Sequence, residues 1–258
     1  MKKIDLMDTT FYILVRIDSI QRLENVILVT NLLNRYFFTN IVVREADSFN
    51  NKILERLLGK NVKYEFVQDR DPILYRTQHH NQMIKPSHST YVAIWDADII
   101  PFKDAISECI DKLRKKDADF TLPYNGFCYD VAGAVKSLFL QERSYKVLLK
   151  HIDKLNLLYP TILYGGAVIL SKEAFLKSGG ENEKQYGWSN DDSDRYNRIS
   201  SLQFKIFRYD TPLFHIWHPR SKNSRFHSDT FKKISINELF LLQNSSHQET
   251  LEYVSKMK

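Results

Sequence analysis

The side chains in this sequence best suited to hold a cation are two aspartates one residue apart, in the run Tyr91-Val-Ala-Ile-Trp-Asp96-Ala97-Asp98-Ile-Ile-Pro101. Five strand-forming residues lead straight into the acidic pair, and in an open parallel sheet the carboxyl ends of strands line the ligand crevice. If extended backbone continues through Ala97, Asp96 and Asp98 point to one side and can face one ion together. Hard carboxylate oxygens suit Mg2+ or Mn2+, and such an ion in turn binds diphosphate oxygens. The competing reading is structural: Asp98 as the cap of the helix that follows. Packing alone does not readily account for two carboxylates at a strand end, so the cation reading stays open beside it.

The elements that must position this pair follow from hydrophobic spacing. Residues 11–17, 40–46, 62–67 and 91–95 read as strands. Helical spacing appears over 22–37 (Val26, Val29, Leu33, Tyr36), 52–58, 73–84 and 101–115, with Pro101 opening the last. This alternation predicts an α/β fold, a mostly parallel central sheet flanked by helices. Beyond Phe120 the pattern changes. It reads as a strand at 120–123, a long helix over 136–157, a strand at 165–170, a helix at 172–177, an acidic helix from Asp191, strands at 204–209 and 213–217, and a helical tail over 234–258 broken at Asn244-Ser245-Ser246. With no repeat, low-complexity tract or flexible linker, residues 1–258 read as one domain.

Composition narrows the function classes. The 258 residues are 43% hydrophobic and 13% aromatic, enough for a core and unlike a disordered chain. The net charge of +6 is scattered, apart from short clusters at 112–116 and 220–225, whereas nucleic-acid binders concentrate charge on one face. No nucleic-acid partner is expected. The excess fits anionic ligands and leaves room for peripheral contact with the inner membrane surface. Cys109 and Cys128 have no metal-ligand spacing and read as buried reduced thiols. The opening residues lack a signal-peptide core and no run approaches the ~20 apolar residues of a membrane span. A cytoplasmic location is the expectation.

A second motif carries more information. It runs from Tyr164-Gly165-Gly166-Ala-Val-Ile-Leu through Phe175, Gly179-Gly180-Glu-Asn182-Glu183 and Gly187-Trp188 to Asp191-Asp192-Ser-Asp194-Arg195 and Arg198. In order and spacing this resembles the carboxyl-terminal catalytic segment of β1,4-galactosyltransferases and of bacterial chondroitin-polymerase-like glycosyltransferases. Ser189 stands where that group usually has Gly, and Asp191 where it usually has Glu, which shortens an acceptor-binding side chain by one methylene. The resemblance extends over roughly residues 11–225. It takes in Arg16, Asp18 and Arg22 as a strand-to-helix loop that grips a nucleotide. It also takes in Tyr75-Arg76-Thr77 and Asn81, where the group has a basic residue near the diphosphate, and Phe214-His215-Ile-Trp217-His218-Pro219-Arg220.

The resemblance implies a GT-A fold with a nucleotide-binding half at about 11–123 and an acceptor half at about 124–225. It implies an inverting, metal-dependent transfer of a hexose or N-acetylhexosamine, galactose-type favoured, from a UDP-sugar to a saccharide or lipid-linked oligosaccharide acceptor. Asp98, His215 and His218 would hold Mn2+ or Mg2+. Asp192 would be the base, and Asp191, Trp188 and Gly187 would meet the acceptor. Arg16, Asp18, Arg22, Arg76, Asp96, Ala97, Gly165 and Gly166 would meet the donor. Surface-glycan synthesis is the expected setting.

Residue chemistry bears on these roles independently. On a continuous strand His215 and His218 would face opposite sides, and a break near Pro219 would bring them together. Asp191 and Asp192 also suit the first turn of a helix, where the dipole would lower a carboxyl's pKa, and Asp194 and Arg198 have pairing distance along that helix. Trp188 can stack on a sugar or pack in the core. The polar stretch 178–190 suits a lid ordered by the donor. His79, His80, His88, His151, His227 and His247 read as structural or surface residues. A metal-dependent sugar-nucleotide hydrolase or pyrophosphorylase, or a non-catalytic carbohydrate binder, would use many of the same residues.

Overall fold

The computed structural model describes residues 2–257. The first half is built as the spacing predicts. β1 (Ile4–Val15) leads to α1 (Ile20–Tyr36), β2 (Phe37–Asp47), the short α2 (Ile53–Leu57), β3 (Val62–Gln68), α3 (Arg76–Ile84) and β4 (Tyr91–Trp95). β1 starts earlier than its apolar run and stops at Val15, because Ser19 caps α1 by accepting from the Arg22 amide and ends the extended stretch.

The chain continues through β5 (Ile99–Ile100), α4 (Lys103–Arg114), β6 (Phe120–Leu122), β7 (Cys128–Val131), α5 (Gly133–Glu142), α6 (Tyr145–Lys150) and β8 (Asn156–Leu157). It then forms β9 (Ala167–Ser171), α7 (Lys172–Lys177), α8 (Asp191–Ser201), β10 (Ile206–Arg208), β11 (Leu213–Ile216), α9 (Asp229–Gln243) and α10 (His247–Ser255).

Two sheets result. The larger has seven strands in the order β10-β6-β9-β4-β1-β2-β3. Its pairs are parallel except where β9 runs antiparallel to both β4 and β6. Helices α1 and α3 pack on the β1–β2 side, and α4 and α7 on β6 and β9. The mixed α/β architecture with a large central sheet flanked by helices is therefore as expected, and agrees with the GT-A fold. Residues Phe11, Ile13, Val92, Ala93, Trp95, Ile169 and Leu170 are fully or almost fully buried, as strands covered on both faces require.

The smaller sheet, β5-β11-β7-β8, is not foreseen from spacing and does most to build the site. Its two-residue β5 lies between the expected strand 91–95 and the expected helix 101–115, where no element is predicted. Pro101 precedes the cap Phe102 instead of starting α4, since Ile99 and Ile100 pair antiparallel with β11. The expected helix over 136–157 is likewise broken. Arg143 adopts a left-handed φ of 48° that ends α5, Ser144 caps α6, and the chain reaches β8 through a 3-10 turn at Ile152–Lys154. Both cysteines are free and buried. Among the described residues no helix is long and apolar enough to cross a membrane.

Candidate active site

A cleft of about 370 Å3 opens at the carboxyl end of β4 and takes its walls from both sheets. Asp96, Ala97 and Asp98 form a turn directly after β4, so the extended alternation expected to aim both carboxylates alike does not hold. The turn nevertheless keeps both on the cleft. Asp98 caps nothing: the cap of α4 is Phe102, without a side-chain hydrogen bond.

The small sheet fixes what surrounds Asp98. The Asp98 carbonyl accepts from the Ile216 amide at 2.7 Å, so β5 and β11 hold Asp98 beside His215. On the other edge of β11, His215 is in register with Asp130 of β7, and its Nδ1 lies 2.7 Å from Asp130 Oδ1. β11 ends at Ile216, and the chain turns so that the His218 ring comes within 5.3 Å of the His215 ring, centroid to centroid. Nε2 of His218 is 3.0 Å and Nε2 of His215 3.9 Å from Asp98 Oδ2. All three side chains are buried, and their ligand atoms lie within 4.8 Å of one another.

This donor set fits a divalent ion. One carboxylate and two imidazoles suit Mn2+, and Asp130 holds the proton on His215 Nδ1, leaving Nε2 bare for a cation. Burial alone would raise the Asp98 carboxyl, but His215, His218 and Arg22 around it hold it well below the usual carboxylate range. Asp130 is a supporting residue that the sequence did not single out. Only the strand register brings it to His215.

Arg22, on the first turn of α1, reaches the same cluster. Its Nε donates to Asp18 at 3.0 Å, Nη1 lies 3.5 Å from Asp98 Oδ2 and Nη2 lies 3.3 Å from His218 Nδ1. Arg16 also lines the cleft, but its donors are committed to the Ala46 and Asp71 carbonyls and the Asp69 carboxylate. It ties the end of β1 to the 69–71 loop. Arg76 sits between two acids, 3.2 Å from Asp96 Oδ1 and 3.7 Å from Asp191 Oδ2. Desolvation raises the Asp96 carboxyl, Arg76 pulls it back, and Asp98 and Asp192 push it up again.

Opposite the cation cluster, α8 begins with Asp191 and Asp192. The Asp192 carboxylate is about one-third exposed, receives a 3.1 Å hydrogen bond from Arg195, and lies against Gly165. Arg195 is itself buried and clamped by both oxygens of Glu181. Asp191 turns inward, 3% exposed, with Oδ2 lacking any hydrogen-bond partner. The expectation that the helix dipole lowers this carboxyl fails: burial pushes it up to about 7, outweighing Arg76, and Asp192 adds to the rise.

Other expected site residues divide. Gly165 and Gly166 line the cleft, and Tyr124 fixes the first by donating to its carbonyl at 2.7 Å. Trp188 lines it half-buried, edge-on to Phe226 at 5.0 Å. Gly187 does not line the cleft. Its φ of 68° and the Ile73 side chain, 2.6 Å from where a Cβ would stand, explain the glycine. Tyr75, Thr77 and Asn81 also do other work, holding the backbone of Glu183, Gln185 and Glu181.

The lid expectation for 178–190 is accordingly overturned for most of its length. Ser178, Glu181, Asn182 and Gln185 are buried, and Ser235 of α9 anchors both Gln185 and Asn190. Asp194 and Arg198 do pair, at 2.8 Å and fully buried. His80, read as structural, lines the cleft next to Arg76, and burial together with Arg76 keeps it uncharged.

An α/β sheet with an acidic turn after its central strand, a carboxylate-imidazole cluster and an acidic helix across the cleft agrees with the nucleotide-sugar transferase class. Comparison with known proteins points the same way. Residues 148–221 match the family model described as the N-terminal domain of galactosyltransferase. The chain is 35% identical over 92 residues to beta-1,4-galactosyltransferase 2 of Cricetulus griseus, covering 34% of this chain and 25% of that protein. The enzyme of the same name from Mus musculus is 36% identical over 87 residues, covering 32% and 24%. That from Homo sapiens is 35% identical over 92 residues, covering 34% and 25%. The chain thus carries a galactosyltransferase-like glycosyltransferase segment, and the match spans about a quarter of the length of these curated relatives.

Proposed function

We propose that this protein is a metal-dependent, inverting glycosyltransferase that moves a hexose or N-acetylhexosamine, galactose-type favoured, from a UDP-sugar to a saccharide acceptor. The observation that carries the reading is the pairing, across one cleft, of the Asp98-His215-His218 cluster with the carboxylate of Asp192 at the head of α8. The galactosyltransferase-like segment includes both histidines and Asp192, which supports the choice of reaction.

A divalent ion held by Asp98, His215 and His218 would offset the charge that builds on the diphosphate as it departs. Asp192 is the base that takes the acceptor hydroxyl proton as the glycosidic bond forms. Its orientation comes from Arg195, which Glu181 fixes in turn. Trp188 offers a flat face to the acceptor sugar. Arg220, at the rim beside Asn223 and Ser224, adds positive charge to the donor end. Asp191 lines the same cleft, with Arg76 3.7 Å from its Oδ2, and would orient the acceptor sugar by hydrogen bonding.

The testing experiment is a UDP-sugar screen with Mn2+, following UDP release with and without a panel of saccharides. Release that depends on both metal and acceptor supports transfer. Release at full rate without any acceptor would instead mark a hydrolase, and binding without release a carbohydrate-binding protein.

A further inference from the structure

Arg22, expected to meet the donor, also touches the cation cluster, a contact that the metal-dependent reading does not explain. Its guanidinium is part of the cation cluster: Nη1 and His218 Nε2 both converge on the single oxygen Asp98 Oδ2, at 3.5 and 3.0 Å. The cluster therefore already contains a positive charge at the position a divalent ion would share. Asp18 holds Nε at 3.0 Å, so the arginine is tethered by one nitrogen while its two terminal nitrogens remain free to exchange partners.

His218 faces the same guanidinium. Its Nδ1 has two neighbours, Arg22 Nη2 at 3.3 Å and the Pro219 carbonyl at 2.9 Å. Arg22 can only donate and the carbonyl can only accept, so Nδ1 serves one or the other. Nη1 of the same guanidinium lies 3.5 Å from the Asp98 oxygen that a divalent ion would take, so ion and guanidinium compete for one position.

We infer that Arg22 is a resident counter-cation of the metal site, displaced when the divalent ion binds, and that its freed guanidinium then pairs with the diphosphate of the nucleotide. This rests on the functional reading above. Tethered at Asp18 on the cleft wall, the two released nitrogens present a fork suited to phosphate oxygens.

The inference predicts opposite effects on two ligands, which loss of structure alone would not give. Calorimetric titration with Mn2+ alone should show Arg22→Gln binding the ion ~10-fold more tightly than wild type, since a like charge a few ångströms away has been removed. With Mn2+ saturating, the same variant should bind UDP ~10-fold more weakly, for want of a charge-assisted pair. Arg22→Lys keeps the charge and should stay near wild type for Mn2+, while thermal melts report that both variants fold. Wild type that binds Mn2+ and UDP, with Arg22→Gln no tighter for Mn2+ or no weaker for UDP, overturns this inference alone. Wild type that binds neither ligand overturns the functional reading and this inference with it.

Discussion

The carboxylate of Asp192 rests directly on the α-carbon of Gly165, so that a Cβ built on that glycine would stand 1.8 Å from Asp192 Oδ2. Gly165 has no positive φ to demand a glycine, so the acid itself demands it. Gly165→Ala should therefore displace Asp192 and leave the sheet intact. Transfer should fall about 100-fold, the cost of misplacing a reacting group by roughly an ångström, with Mn2+ binding unchanged. A Gly165→Ala enzyme of normal kcat would remove the basis for treating this contact as functional.

Asp192→Asn keeps the shape and removes the proton acceptor. Turnover should drop about a hundred- to ten-thousand-fold while UDP and Mn2+ affinities hold, as read from steady-state kinetics and calorimetry. Retained turnover would transfer the base role to another residue.

The cation cluster and its support separate in binding experiments. Asp98→Ala should lose measurable Mn2+ binding, and a chelator should abolish transfer by the wild type, with activity returning on added Mn2+. Asp130→Asn leaves all three ligands in place but takes away the carboxylate that orients His215. It should weaken Mn2+ binding by about 10- to 100-fold. Equal affinity in Asp130→Asn and wild type would show that the charge of Asp130 does not tune the site.

The buried pair Asp194–Arg198 is structural, and breaking it should be costly. Asp194→Ala leaves the Arg198 guanidinium fully buried without its partner at 2.8 Å. Destabilisation of about 3–5 kcal/mol is expected, seen as a shift of the urea midpoint. A midpoint within experimental error of wild type would mean that the Ser178 and Gly180 carbonyls suffice for Arg198.

Asp191 gives the protein a pH signature with a definite sign. The unfolded chain ionises this side chain near the ordinary value of about 3.9, and burial raises it to about 7 in the fold. Between those values the folded protein holds a proton the unfolded chain has lost. The group's stabilising contribution is thus complete below about pH 4 and is lost as pH rises through about 7. Asp191→Asn, neutral and of the same shape, should gain in Tm over wild type between about pH 5 and pH 8. Parallel Tm curves for the two proteins would refute the buried, raised carboxyl.

Much of this was legible in the chain itself, because local rules govern it. The alternation of strand and helix signals through Trp95, the acidic pair Asp96 and Asp98 at the end of that strand and the acidic start of α8 depend on periodicity and helix ends, whereas the turn that carries the pair does not show in the spacing. The ordered motif from Tyr164 to Arg198 added the resemblance. Across 136–157 the helical spacing predicts one helix where the chain is broken, since the left-handed turn at Arg143 leaves no apolar signature.

What tertiary structure decided are the partnerships across large sequence separations. Strand pairing set Asp98, His215 and Asp130 side by side, from positions 85 residues or more apart in the case of Asp130 and His215. Packing put Asp192 on Gly165, buried Ser178, Glu181, Asn182 and Gln185 within the stretch 178–190 that suits a lid, and turned Arg22 onto the cation cluster. A sequence specifies the conformational preferences of neighbours along the chain. Which distant side chains share a buried oxygen, and which proton each must then carry, follows only from the register of sheets closing around them.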